Sequence, residues 1–372
     1  MTVARIITVG TSADEMSWQT ALQDLRADDV LLLEPGFYDL PHGLDVANIT
    51  VKGLGSLPEE TTIFGYFQLE ADCNFFNLEN VCVTTKTANN SFYVDEDADT
   101  YLSLRNVIVR AGKDDVAAIS AKGKCTLELY SCKVLGGSVS IFEEANFRLT
   151  IDDSLLDYRH DEYAALGLQG SGTAILTNTK VAGVLTTYPQ ADCELDLNNS
   201  EVEAVVLQGK AWGNLFNSKF TGTSDASFCG SDDAWLNIVN CDFAGGVLLD
   251  QNSHNLLQNS QVPRLLAGNQ AVVTMTNCQI SQHLDVQDQA KVDLLHCKLM
   301  GTPEFEYFIA LSDQAELSGR DVLLNGQGQI AAVMDEAKIK LDIMHSQEPA
   351  LEIKHSSTAE IKIWGLHWFS AK

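Results

Sequence analysis

Ala234-Trp-Leu-Asn-Ile-Val-Asn-Cys-Asp-Phe243 is the stretch whose reading decides the fold. It runs small, variable, apolar, variable, apolar, variable, Asn-like, small, variable, apolar, and this pattern returns about every 18 to 26 residues, a period that signals an array. Copies occupy Ala211…Phe220, Ala271…Ile280, Ala290…Leu299, Ala315…Leu324, Ala337…Ser346 and Ala359…Trp368. Looser ones start at Thr100, Cys125, Gly172, Cys193 and Ser253. Each unit contains short strand patterns and no helix pattern, so the chain reads as all-β, a parallel β-helix.

Strand side chains alternate between two faces, so Ala234, Leu236 and Ile238 point one way, into the interior, and Trp235 and Asn237 point outward. Asn240 takes the bend, because Asn tolerates left-handed backbone and can bond its counterpart one coil away. Its equivalents are Asn80, Asn106, Asn178, Asn199, Asn217, Asn259 and Asn277, with Ser131 and His296 as substitutes. The next position turns inward and is small: Cys132, Ser200, Ser218, Cys241, Ser260, Cys278, Cys297. A second short strand precedes each copy, as in Val205-Val206-Leu207, Val247-Leu248-Leu249 and Ile330-Ala331-Ala332-Val333. An acidic or amide turn joins the two, as in Asp232-Asp233-Ala234, Asp288-Gln289-Ala290, Asp313-Gln314-Ala315 and Asp335-Glu336-Ala337.

Along 372 residues the repeat meets no linker, and apolar residues make up 45% of the chain, enough for a long core. The reading is one continuous domain, with residues 1–45 forming an N-terminal strand and capping helix and residues 46–372 forming the β-helix of about 14 coils at ~4.8 Å each. The helix pattern places Trp18, Leu22 and Leu25 on one face after a capping box at Ser12-Ala-Asp-Glu15. A formal net charge of −27 argues against duplex nucleic acid and anionic membranes as partners. Nine cysteines without a CxxC pair read as free, mostly interior thiols. Neither a secretory h-region nor a membrane-length apolar run is evident, so the expected setting is the reducing cytoplasm, or the exterior if a leader has been removed.

The opening resembles the pectin lyase-like superfamily of right-handed parallel β-helices. The resemblance rests on the helix, on Val30–Leu33, Pro35-Gly36-Phe37-Tyr38, Ile49-Thr-Val-Lys-Gly53 and Thr62-Ile63…Gly65, and on the ladder of Asn and small residues through the rest of the chain. It implies a right-handed coil. The superfamily mixes polysaccharide lyases, hydrolases and esterases with non-catalytic modules, so the resemblance implies no single activity.

Three surface features are candidates for function. Trp212 and Trp235 each follow the anchor Ala and stand outward on neighbouring coils, preceded in that column by Glu194 and followed by His254; outward aromatics beside polar groups can contact sugar rings. Asp232 and Asp233 lie next to Trp235, and paired carboxylates with His254 are candidates for acid–base work on a glycosidic bond. Polygalacturonases carry an Asp-Asp pair, then Gly-His-Gly, then Arg-x-Lys; here Ser253-His254-Asn255 lacks the glycines, and Arg264 stands alone. The third feature is the row Asp288, Asp313, Asp335. It reads as turn chemistry, with Ca²⁺ as the cation it would take if it held one; no other cofactor or metal is expected.

The expected function is therefore a non-catalytic binding or scaffold protein for a glycan or a protein. The alternative is a polysaccharide-active enzyme of the pectin lyase-like kind. The aromatic end Ile361-Lys-Ile-Trp-Gly-Leu-His-Trp-Phe369 reads as an end cap or a self-association face.

Overall fold

The computed structural model describes residues 4–364, except for 11–14, 41–43, 46–47, 86–89, 113–116, 303, 327–328 and 348–352. The fold is an all-β, right-handed parallel β-solenoid of about 15 turns. It divides into two compact units, Met1–Glu194 and Leu195–Lys372.

In the first unit, strands Ile6–Val9, Val30–Leu33 and Ile49–Gly53 pair in parallel. Between the first two lies the short helix Trp18–Gln23. Its N-cap is Ser17, whose hydroxyl accepts the Thr20 N–H; the capping box expected at Ser12–Glu15 falls on residues 11–14, outside the described ones. Trp18 meets Tyr38 edge-on at 5.2 Å and donates its indole N–H to the Asp39 carbonyl. Further on, Phe75–Glu79, Asp99–Arg105, Lys124–Tyr130, Asn146–Asp152 and Ser171–Thr177 pair in turn, stacking Leu78, Leu104, Leu129, Ile151 and Leu176 in one interior column.

The second unit repeats the scheme. Strands Trp212–Phe216, Trp235–Val239, His254–Gln258, Val272–Thr276 and Lys291–Leu295 align Leu215, Ile238, Leu257, Met275 and Leu294. Ala234, Leu236, Ile238, Cys241 and Phe243 are all buried, whereas Trp235 is exposed. Aromatic rings fill the corners: Phe220 stacks on Phe243 at 4.5 Å, and Phe228 meets both edge-on.

The bend residues behave as a class. Asn80, Asn106, Ser131, Asn178, Asn199, Asn217, Asn240, Asn259, Asn277 and His296 all have φ between 49° and 55°, the left-handed region that Asn enters at least cost. Asp153 and Asp321 do the same and were not foreseen. The amides bond along the column in places, Asn106 Nδ2 to Asn80 Oδ1 at 2.8 Å and Asn240 Nδ2 to Asn217 Oδ1 at 3.1 Å.

The small inward residue after each bend has its own task. Ser154 Oγ donates to the Asp152 carbonyl and accepts the N–H of Cys132, and Ser260 Oγ likewise donates to the Gln258 carbonyl and accepts the N–H of Cys241. A hydroxyl or thiol here satisfies backbone groups that the bend takes out of the ladder. That explains why Ser, Thr and Cys share the column.

All nine cysteines are free thiols, buried except for the half-buried Cys229. Burial pushes the thiols of Cys132 and Cys241 up to about 11, and those of Cys125 and Cys193 up to about 12. The thiolate is the reactive form, so these side chains are protected both chemically and sterically.

A thiol reagent at pH 8 should therefore label Cys229 first and leave Cys241 and Cys125 unmodified until the chain unfolds; unfolded-like rates at Cys241 in the native state would contradict this register. Ile238→Asp should abolish soluble folding, because it puts an unpaired carboxylate into a stacked apolar column at a cost of several kcal/mol; a soluble variant with a native-like β signal would show the column to be more tolerant than this packing allows.

Candidate functional site

Parallel pairing sets Trp212 beside Trp235 and Trp235 beside His254 on successive strands. The two indoles stack with centroids 5.5 Å apart and planes 11° apart, and the His254 imidazole continues the stack at 4.6 Å and 16°. Trp212 and Trp235 each keep 50% of their surface exposed, so the column is an open feature of the second unit and not packing beneath a loop. Trp235 is flanked on both sides, by Trp212 and by His254, and its solvent-facing surface is therefore mainly ring edge. The column borders a shallow groove of about 380 Å³, whose other walls include Asn237, Leu256, Val272 and Thr274. Beneath it, Asn255 takes an interior position and donates to Ser253 Oγ and the Val272 carbonyl. Its Oδ1 is buried without a protein partner.

Asp232 and Asp233 sit in the turn that leads into Trp235–Val239. Asp232 is left-handed (φ 56°), and its Oδ2 accepts the N–H of Gly209 at 2.9 Å. Asp233 Oδ1 accepts from the Asn252 side chain at 3.2 Å. Both carboxylates thus bond to the turns of neighbouring coils. Glu194 lies exposed on strand Asp192–Asn198, at the close of the first unit. Of the C-terminal aromatic end, Trp364 is described, 44% exposed, and residues 365–372 lie outside the described ones.

The acidic row belongs to a longer file of left-handed turn residues: Asp232, Gln251, Asn269, Asp288, Asp313 and Asp335. Asp288 Oδ2 accepts the N–H of Asn269 at 3.0 Å, and Asp335 Oδ2 accepts that of Asp313 at 3.4 Å. Each carboxylate thus reaches back to the turn of the coil before it and ties successive coils together. Among the described residues, no group of three or more His, Cys, Asp or Glu side chains is arranged to hold a metal ion.

One cluster escaped the sequence reading. Arg264 and His283 are register neighbours, next to a bulge between Val262 and Arg264. The Phe305 ring lies flat on His283 at 4.8 Å, with the Arg264 guanidinium 5.9 Å from its centre. Arg264 pairs with Asp225, while its Nε is buried without a protein partner. His283 Nδ1 lies 2.8 Å from the Tyr307 carbonyl, which can only accept, so the proton sits on Nδ1. On the same strand, burial raises the Asp285 carboxyl above its ordinary value, opposed by a hydrogen bond from Gln287. The arrangement clamps the segment around Phe305 onto the coils. No spacing in the sequence joins these residues, because loops of unequal length separate them.

If the acidic file is turn chemistry, Asp288→Ala should lower stability by about 1–2 kcal/mol, through the lost hydrogen bond and the left-handed backbone, and Asp288→Asn by less. Melting curves with and without EDTA should then coincide. A drop of several degrees on chelation would instead reveal a bound cation stabilising the native state.

Compared with protein-family models, with curated proteins and with solved structures, the chain matches none.

Proposed function

We propose that the protein is a non-catalytic β-helical binding or scaffold module, whose ligand is an extended chain, glycan or polypeptide, lying along the Trp212–Trp235–His254 column. The observation that carries this reading is the half-exposed stack itself. Large aromatic surface left open to water on a rigid sheet is costly unless something covers it, and aromatic anchors dominate binding energies where they are covered. The stack also selects the mode of contact. A sugar ring that packs face-to-face needs a free aromatic face, and Trp235 has given both of its own to its neighbours. The ladder therefore offers a ridge of edges, suited to a chain running along it over several coils, with Asn237 and Thr274 at hand for polar contacts.

A kinship with the pectin lyase-like superfamily would favour the glycan among these ligands. The partners of Asp232 and Asp233 favour binding over hydrolysis, since both carboxylates are engaged with neighbouring turns. The strongly negative chain disfavours polyanionic ligands at this site, apart from any that bring their own cations.

Trp212→Ala and Trp235→Ala should each weaken ligand binding by roughly 1–3 kcal/mol and cost stability only about 0.5–1.5 kcal/mol, the worth of a stacked pair. A glycan array and a peptide-display screen on wild type and both variants would read the first effect, and denaturant melts the second. Stability losses of several kcal/mol with no hit in either screen would make the column structural. Turnover of an acidic polysaccharide that disappears in Asp233→Asn would replace this reading with the enzymatic one.

A further inference from the structure

The same sheet face changes character beyond Val272. Column by column, the outward positions of strands Lys291–Leu295, Glu316–Gly326, Lys338–Gln347 and Glu360–Trp364 form a block four coils deep and three residues wide. The first column reads Lys291, Glu316, Lys338, Glu360; the second Asp293, Ser318, Lys340, Lys362. In the third, Leu295 is beside Arg320 and Asp342 beside Trp364 in register, while between Gly319 and Val322 the ladder shifts register, which displaces Arg320 from Asp342. A groove of about 310 Å³ runs over the first two columns.

Each column is complementary to its own reverse. Turned end for end, the first sets Lys291 against Glu360 and Glu316 against Lys338. The second sets Asp293 against Lys362 and Ser318 against Lys340. The third sets Leu295 against Trp364 and Arg320 against Asp342. One symmetry operation produces the four matches of the first two columns at once, with the two of the third column displaced by the bulge: a two-fold axis running along the strand direction, midway between the Glu316 and Lys338 coils. A closed dimer requires this kind of self-complementary patch.

We propose that this face is a homodimer interface, with a second copy of the chain docked face to face and its coils running in the opposite order. Within a single chain, Lys338 and Lys291 reach the two Glu316 oxygens at 3.0 and 3.6 Å, Ser318 donates to Asp293 at 2.7 Å, Lys362 pairs with Glu360, and Lys340 lies 5.8 Å from the centre of the Trp364 ring. The second column is nonetheless only partly relieved, because Lys340 and Lys362 are register neighbours, like charges stacked at the inter-strand distance of roughly 4.8 Å. In the dimer, the partner's Ser318 hydroxyl faces Lys340 and the partner's Asp293 carboxylate faces Lys362. The half-exposed Trp364 likewise gains the partner's Leu295. Four coils by three columns cover on the order of 300–400 Å² per copy, less than the ~800 Å² of a standard interface, so the dimer is weak and salt-sensitive. The aromatic column Trp212–Trp235–His254 lies beyond the matched block and stays open for its own ligand.

Sedimentation velocity on the full chain tests this. Wild type should show a concentration-dependent dimer at about 100 µM in roughly 0.1–0.15 M NaCl, where the repulsion between two chains of net charge −27 is screened beyond about 8–10 Å, and the dimer should be dispersed by about 1 M NaCl. Glu316→Lys and Lys338→Glu each place like charges opposite one another at the axis and should weaken dimerisation at least about tenfold. Mixed together, the two variants regain every match, Lys facing Glu on both sides of the axis, and should form a heterodimer that neither forms alone. Melting curves near wild type would confirm that both variants are folded. A wild type that stays monomeric at that salt, a dimer unaffected by either reversal, or variants that fail to associate when mixed would each overturn the proposal.

Discussion

The parallel backbone ladder is the constraint on which everything else in this protein depends. Because strands pair in register from coil to coil, any side chain finds its own counterpart about 4.8 Å above and below it. A residue type is thus tolerated only if it packs well against a copy of itself or of its substitute. Leucine and isoleucine do so by dispersion. Asparagine does so in part through amide-to-amide bonds, as between Asn106 and Asn80. Serine and cysteine do so by bonding the backbone of their own coil and of the neighbouring one, as Ser154 does with the Asp152 carbonyl and the Cys132 N–H. Charges obey the same rule, and Lys291, Glu316 and Lys338 alternate accordingly.

This constraint explains how much was legible beforehand. Register turns chemistry into period, so the interior positions around Ile238, the left-handed Asn bends and the small residue after each bend could all be read from residue types alone. Asp153 and Asp321 occupy the same bends unnoticed, because Asp is common in every kind of turn and carries no distinguishing signal. The start of the helix was placed too early for a similar reason. Ser12 and Ser17, five positions apart, both suit an N-cap by residue type, and Ser17 accepts the Thr20 N–H.

At the candidate site, position was legible and orientation was not. The anchor pattern was enough to place Trp212, Trp235 and His254 in one outward column, but their rotamers decide whether they show faces or edges, and no sequence pattern encodes that. The cluster of Arg264, His283 and Phe305 lay further out of reach. It is assembled across a bulge and a loop, where the count of residues per coil stops predicting who meets whom.

Two indoles held 5.5 Å apart and nearly parallel cannot absorb light independently. Their transition dipoles couple, and a coupled pair fixed in a chiral frame gives a circular dichroism couplet that neither tryptophan produces alone. The strength of that couplet falls steeply with separation, so slight opening of the two coils that carry Trp212 and Trp235 would erase it while the rest of the solenoid kept its far-ultraviolet spectrum. Repeat proteins tend to unravel coil by coil through nearest-neighbour contacts. The stack thus gives this one an intrinsic optical gauge, set at a known pair of coils, of where along the chain unwinding has begun.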